Sequence, residues 1–135
     1  MSQLAYVDAS AFVKLVIGEP ESDALGDALA GLTMTSSAIL EVEATLVVRR
    51  RHPRSFNGVR RLLGSVRLVE IEHAIRRAAG DLEDPGLRSL DAIHLATAMS
   101  VGDPVMDVIT YDDRFADAAR AHGLTVVQPG RGPHK

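Results

Sequence analysis

The chain has 135 residues, 46% of them hydrophobic, enough for one domain around one buried core. It contains no cysteine, which excludes disulfides and thiolate metal sites, and no run of about 18 apolar residues that could cross a membrane. A net charge of −3 argues against a protein that coats nucleic acid, and the start MSQLAYVDAS lacks the basic and long apolar stretches of a signal peptide, so the expected compartment is the cytoplasm.

In chain order, Leu4-Ala5-Tyr6-Val7 reads as a short buried strand ended by Asp8. Ser10 is then the expected cap of a helix bearing Phe12, Val13, Leu15, Val16 and Ile17, closed by Gly18 and Pro20. A second helix is expected over 21–32 and a second strand over 33–35. Ser36 or Ser37 is the expected cap of a long helix reaching Arg51, with Pro53 closing it and Ser55 opening another to Leu63. Residues 66–71 alternate as a strand does. Helices are predicted over 73–83, 89–101 and 112–122, and strands over 108–111 and 124–127. Strands separated by helices predict an α/β fold: a mainly parallel central sheet covered by helices on both faces. One domain is expected over 1–128, followed by a mobile tail over 129–135.

Charge is unevenly distributed. Residues 1–45 hold seven acids against one base, Lys14, whereas 46–77 hold nine arginines against two glutamates, and 78–135 hold nine acids against five bases. A basic middle between acidic flanks suits a grip on an anion beside a carboxylate site, and a solvated arginine-rich helix face accounts for it equally well. Within it, Arg49, Arg50, Arg51 and Arg54 close a helix whose dipole favours cations there, and they could equally bind phosphates.

Four acids stand out by position. Asp8 and Asp112 each follow a predicted strand, where ligands of open α/β sheets bind. Glu43 and Asp91 lie inside apolar helical stretches. Gathered carboxylates repel one another unless a cation neutralises them, and an all-oxygen donor set suits Mg²⁺ or Mn²⁺. Each has a plainer reading: Asp8 and Asp112 as helix caps, Asp91 as a first-turn dipole partner, and Glu43 as a partly exposed residue with Glu41 turned inward. His94, three residues after Asp91, reads as a satisfied half-buried histidine more readily than as a ligand. No Walker A, GxGxxG, HExxH, GxSxG or EF-hand pattern occurs.

The acids sit in stretches that resemble the PIN-domain family, and within it the VapC toxins of type II VapBC toxin–antitoxin pairs. Tyr6-Val7-Asp8-Ala9-Ser10-Ala11 is similar to the family's opening motif, and Ser37-Ala38-Ile39-Leu40-Glu41-Val42-Glu43 to its glutamate helix, with spacing that favours Glu43. Leu87-Arg88-Ser89-Leu90-Asp91-Ala92-Ile93-His94-Leu95-Ala96-Thr97-Ala98 resembles the third-acid segment, and Thr110-Tyr111-Asp112-Asp113-Arg114-Phe115 the fourth. The resemblance implies a three-layer α/β/α PIN-like fold and a Mg²⁺- or Mn²⁺-dependent endoribonuclease. It implies Asp8, Asp91 and Asp112 as metal ligands, Glu43 as the residue that orients or deprotonates the attacking water or binds a second ion, and Ser10 as a hydrogen-bonding partner of a metal water or phosphate. Its implied partners are RNA, a VapB-like antitoxin and a second copy of the chain, giving a homodimer and a toxin–antitoxin hetero-oligomer, with no membrane. A housekeeping RNA-processing PIN enzyme and a catalytically silent PIN-like binding module are the alternatives. A haloacid-dehalogenase-type phosphatase would need an acid where Ser10 stands, and a receiver domain a lysine after a late strand, yet only Lys14 and Lys135 occur.

Overall fold

A computed structural model of the protein describes residues 2–132. Five strands, β1 (Leu4–Val7), β2 (Thr33–Ser37), β3 (Val66–Val69), β4 (Asp107–Ile109) and β5 (Thr125–Val127), form one sheet in the order β3-β2-β1-β4-β5, and every pairing is parallel. Helices α1 (Ala9–Val16), α2 (Ser22–Leu29), α3 (Ile39–Arg51) and α4 (Phe56–Leu63) connect the first three strands, with a 3₁₀ turn at Pro53–Ser55. Helices α5 (His73–Gly80), α6 (Ser89–Val101) and α7 (Asp113–Ala121) serve the rest.

Side chains of a strand alternate between faces, and the core divides accordingly. Ala5, Val7 and Ile109 pack on one face with Phe12, Leu25, Leu40 and Val59 from the α1–α4 side. Tyr6 and Val108 face the other way, against Leu95, Phe115 and Ala119 of α6 and α7. The result is the expected three-layer arrangement. From β1 the chain winds outward through β2 and β3, then returns to lay β4 on the opposite side. The boundary between β1 and β4 is therefore the topological switch point, where the strand ends splay apart and leave a crevice.

Several local expectations are corrected. Asp8, not Ser10, caps α1: its carboxylate accepts from the Ala11 amide, and the Ser10 hydroxyl donates to it. Neither Ser36 nor Ser37 is the cap of α3, because both still belong to β2, in register with Leu68 and Val69 of β3. Strand β3 ends at Val69 rather than at residue 71, and α5 ends at Gly80. Helix α2 ends at Leu29, ahead of a left-handed turn at Gly31 with φ of 79°. Of the tail expected over 129–135, Pro129 accepts from the Tyr111 hydroxyl at 2.6 Å and Arg131 pairs with Asp113, while 133–135 lie outside the described residues. No helix among the described residues is long and apolar enough to cross a membrane.

Candidate active site

Asp8 stands at the carboxyl end of β1, buried at 6% exposure. Its Oδ1 accepts from Ser10 Oγ at 2.7 Å and from the Ala11 amide at 3.1 Å, and its Oδ2 accepts from Thr110 Oγ1 at 2.6 Å. Burial pushes its carboxyl above the usual value, and the Thr110 and Ser10 hydroxyls pull it partly back. Thr110 lies at the end of β4, the strand beside β1, and its hydroxyl also accepts from the Asp112 amide at 3.1 Å. One hydroxyl thus ties the first acid to the loop carrying the fourth.

Asp112 is the N-cap of α7: its Oδ1 accepts from the Arg114 and Phe115 amides. The capping reading and the site reading both hold, since Asp112 also lines a cavity of about 550 Å³ with Glu43, Asp91, Ser89, Arg88 and Arg114. Asp113 lines the same cavity, but both its oxygens pair with Arg131, at 2.8 and 3.0 Å. That fork engages Asp113 and leaves Asp112 as the acid of the doubled pair with an uncommitted oxygen.

Asp91 falls in the first turn of α6 and accepts no hydrogen bond from any described residue. Its carboxyl is raised first by burial and next by the negative charge of Asp112, with a further push from Asp8, while His94 and Arg114 oppose the rise. Asp91 therefore stands close enough to Asp112 and Asp8 to feel their charge.

Glu43 projects from α3 and is half-buried, whereas Glu41 is exposed. Glu43 Oε1 meets His94 Nε2 at 2.6 Å, and His94 Nδ1 meets the Tyr6 hydroxyl at 2.7 Å. Tyr6 is fully buried, and burial raises its phenol far above the ordinary value, so it keeps its proton. A neutral His94 that accepts from Tyr6 at Nδ1 carries its hydrogen on Nε2 and donates it to Glu43. His94 is buried and satisfied, as its sequence context implied, yet one of its partners is a site acid. Sequence reasoning missed this Tyr6–His94–Glu43 chain, and it missed Thr110. The one available signal for Thr110 was its place at a strand end two residues before Asp112.

The donor set is all oxygen, hard and negatively charged, and it fits a divalent cation such as Mg²⁺ or Mn²⁺ in kind. Among the described residues no three His, Asp or Glu side chains are already drawn together as a ligand set, so the acids frame the crevice without closing it. Ser10 spends its hydrogen on Asp8 and accepts from the Tyr111 amide at 2.8 Å, which makes it a brace for Asp8.

The four arginines have different neighbours. Arg49 lies over the Phe56 ring at 4.4 Å, with Arg60 over the same ring at 5.2 Å. Arg50 reaches the Leu46 carbonyl, Arg51 approaches Glu19 at 3.7 Å, and Arg54 is exposed on the 3₁₀ turn.

The PIN domain family model matches residues 5–121. Ribonuclease VapC35 of Mycobacterium tuberculosis is 42% identical over 133 residues, covering 95% of this chain and 98% of that one. Ribonuclease VapC46 of the same species is 39% identical, over 92% of this chain and 96% of that one. Among solved structures, the M. tuberculosis toxin VapC20, described as cleaving the sarcin–ricin loop, aligns with a TM-score of 0.74 at 20% identity, over 93% of this chain and 99% of that one. A toxin–antitoxin complex from Klebsiella pneumoniae contains a chain aligning with a TM-score of 0.71 at 24% identity, over 93% of this chain and 97% of that one. The structural likenesses show a shared fold, and the family match and full-length similarity show more: the chain belongs to the PIN domain family.

Proposed function

We propose that this protein is a Mg²⁺- or Mn²⁺-dependent endoribonuclease and the toxin of a toxin–antitoxin pair. What supports the reading is the 42% identity to a named VapC ribonuclease, in a chain whose Asp91, Asp112 and Glu43 line one cavity and whose Asp8 ends β1 beside β4. Asp8, Asp91 and Asp112 would hold the cation, with Glu43 a candidate for a second. When bound, that cation supplies the positive charge that lets an acidic crevice accept a phosphodiester and lowers the pKa of the attacking water.

The chain's own residues do the rest. Thr110 and Ser10 fix both oxygens of Asp8. The amides at the start of α7 fix Asp112 through Oδ1 and leave Oδ2 for the cation. His94 holds Glu43 by Oε1, so Oε2 is the atom that takes a proton from water. Arg49, Arg50, Arg51 and Arg54 bind the strand further out as screened phosphate contacts.

The antitoxin reading draws support from solved neighbours that are toxin–antitoxin complexes. The partner expected is a small protein whose tail brings an arginine to the acids, pairing with them in place of the cation. Purified protein is expected to cleave RNA with Mg²⁺ or Mn²⁺ and to lose that activity in excess EDTA. Undiminished cleavage in EDTA overturns the metal assignment. Isolation from the native host that recovers no small partner overturns the toxin assignment in favour of a housekeeping nuclease.

A further inference from the structure

Beside the acid crevice lies a second cavity, of about 350 Å³, lined by Ser10, Lys14, Glu19, Val47, Arg51 and Tyr111. Ser10 connects it to Asp8, since Ser10 lines this cavity while its hydroxyl donates to the Asp8 carboxylate. Lys14 follows Ser10 by one helical turn on α1 and so shares its face. It is the only lysine among the described residues, and its side chain is 13% exposed.

The ionic contacts here are unequal. Lys14 Nζ lies 2.8 Å from Glu21 Oε1, a close charge-assisted hydrogen bond, and 4.8 Å from the centre of the Tyr111 ring. Glu19 approaches Lys14 only to 3.4 Å and Arg51 only to 3.7 Å, both well beyond the roughly 2.8 Å of a closed N–H···O pair between charges. One carboxylate thus stands between two cations, with a long hydrogen bond from Lys14 and only an ion pair to Arg51. A cluster that served only to tie α1 to α3 would gain most from tight pairs. Lys14 donates to Glu21 and, over a long 3.4 Å, to Glu19, and Arg51, 53% exposed at the end of α3, is free to turn.

We infer that this cavity seats the RNA phosphate next to the one that is cleaved, held by Lys14 and Arg51, which exchange Glu19 for it. A phosphate offers more acceptor oxygens than Glu19 and accepts the arginine fork in bidentate fashion. Its place follows from Ser10, which lines this cavity and donates to Asp8. Arg51 is thereby set apart from Arg49, Arg50 and Arg54, and Lys14 joins the strand-binding residues. The identity of the strand rests on the ribonuclease reading.

The test is fluorescence anisotropy with a labelled single-stranded RNA dodecamer, in EDTA to keep it intact, across a range of salt. Arg51→Gln and Lys14→Met are each expected to weaken binding and to reduce the slope of log affinity against log salt by about 0.7, the value for one phosphate contact on a single strand. Glu19→Gln removes the competing carboxylate and is expected to tighten binding several-fold. The Glu19 and Arg51 positions are partly open to solvent, so their variants should fold, checked by unchanged circular dichroism. The inference is overturned if the wild type shows no measurable binding. It is overturned equally if Arg51→Gln leaves affinity and slope unchanged, or if folded Glu19→Gln fails to bind more tightly. Cleavage of the same strand with Mg²⁺ separates the two readings: cleavage without these binding effects leaves the nuclease and removes the subsite, and the binding effects without cleavage do the reverse.

Discussion

Glu43 of α3 and His94 of α6 join the two helical layers through a 2.6 Å contact between Oε1 and Nε2, at the mouth of the acid crevice. Behind His94 stands Tyr6, fully buried in β1, so one chain of hydrogen bonds runs from the sheet to a site acid. In the proposed reaction this chain fixes which oxygen of Glu43 faces the water.

That chain makes Tyr6→Phe informative. The change removes one hydroxyl and leaves the buried Nδ1 of His94 without its donor, which costs about 1–3 kcal/mol. Freed to choose either tautomer, His94 no longer holds Glu43 in one orientation, and kcat is expected to fall by roughly 10-fold or more, as for other outer partners of a metal site. KM should hold. A destabilised Tyr6→Phe protein with wild-type kcat would assign the chain to stability alone.

Asp91→Asn keeps the shape of the side chain and removes its charge. As a metal ligand, Asp91 is needed for activity and toxicity, and both should collapse. Stability without metal should hold or rise, because a charge disfavoured by burial and then by the repulsion of Asp112 and Asp8 is gone. A residue that merely complements the α6 dipole would instead lose about 0.3–1 kcal/mol on substitution and leave cleavage intact. Thermal melts in EDTA paired with a cleavage assay separate the outcomes, and an active but destabilised variant would defeat the four-acid site.

The pH dependence of metal-free stability follows from the same charges. Asp8 and Asp91 both have carboxyls raised in the folded state. The folded protein then binds protons at a pH where the unfolded chain has released them, so stability rises as pH falls through the folded values and stops rising at the ordinary carboxylate value. Melting temperature in EDTA is therefore expected to climb on moderate acidification from neutrality, against the usual acid trend. Asp91→Asn should flatten part of that climb. Added Mg²⁺ or Mn²⁺ should stabilise most at neutral pH, where the acids are ionised, and progressively less as protons compete. A melting temperature that falls steadily from neutrality in EDTA would contradict the burial-raised carboxyls of Asp8 and Asp91.

Much of this was legible in the sequence because it is local. Asp8 ends a compact apolar strand, and Asp91 interrupts a helix otherwise rich in Leu, Ile and Ala, so each announces itself within a few residues. The alternation of strands and helices gave the layers for the same reason. What stayed hidden depends on strand order. Glu43 meets His94 across 51 residues, Tyr6 meets His94 across 88, and Asp8 meets Thr110 across 102, distances closed only once β4 lies beside β1 and α6 packs over the sheet. Of the two caps the sequence offers for α1, Ser10 and Asp8, the structure takes Asp8, and only geometry reveals that the same carboxylate also holds the Thr110 hydroxyl.

Thr110 is the sharpest place to test that geometry, because it is fully buried and its one hydroxyl serves two acids. It donates to Asp8 Oδ2 and accepts from the Asp112 amide. Thr110→Val preserves the branched shape while deleting the hydroxyl, leaving Asp8 short of a donor and the Asp112 amide short of an acceptor, at a cost of about 1–3 kcal/mol. The Thr110 bond is the strongest influence holding the Asp8 carboxyl down against burial, so its loss pushes that carboxyl higher still. Since Asp8 must be ionised to hold a cation, the acid limb of kcat/KM against pH should move to higher pH in the Val variant. Thr110→Ser retains the hydroxyl and should bring the limb back. A folded Thr110→Val protein whose acid limb matches the wild type would show that Thr110 does not govern the ionisation of Asp8.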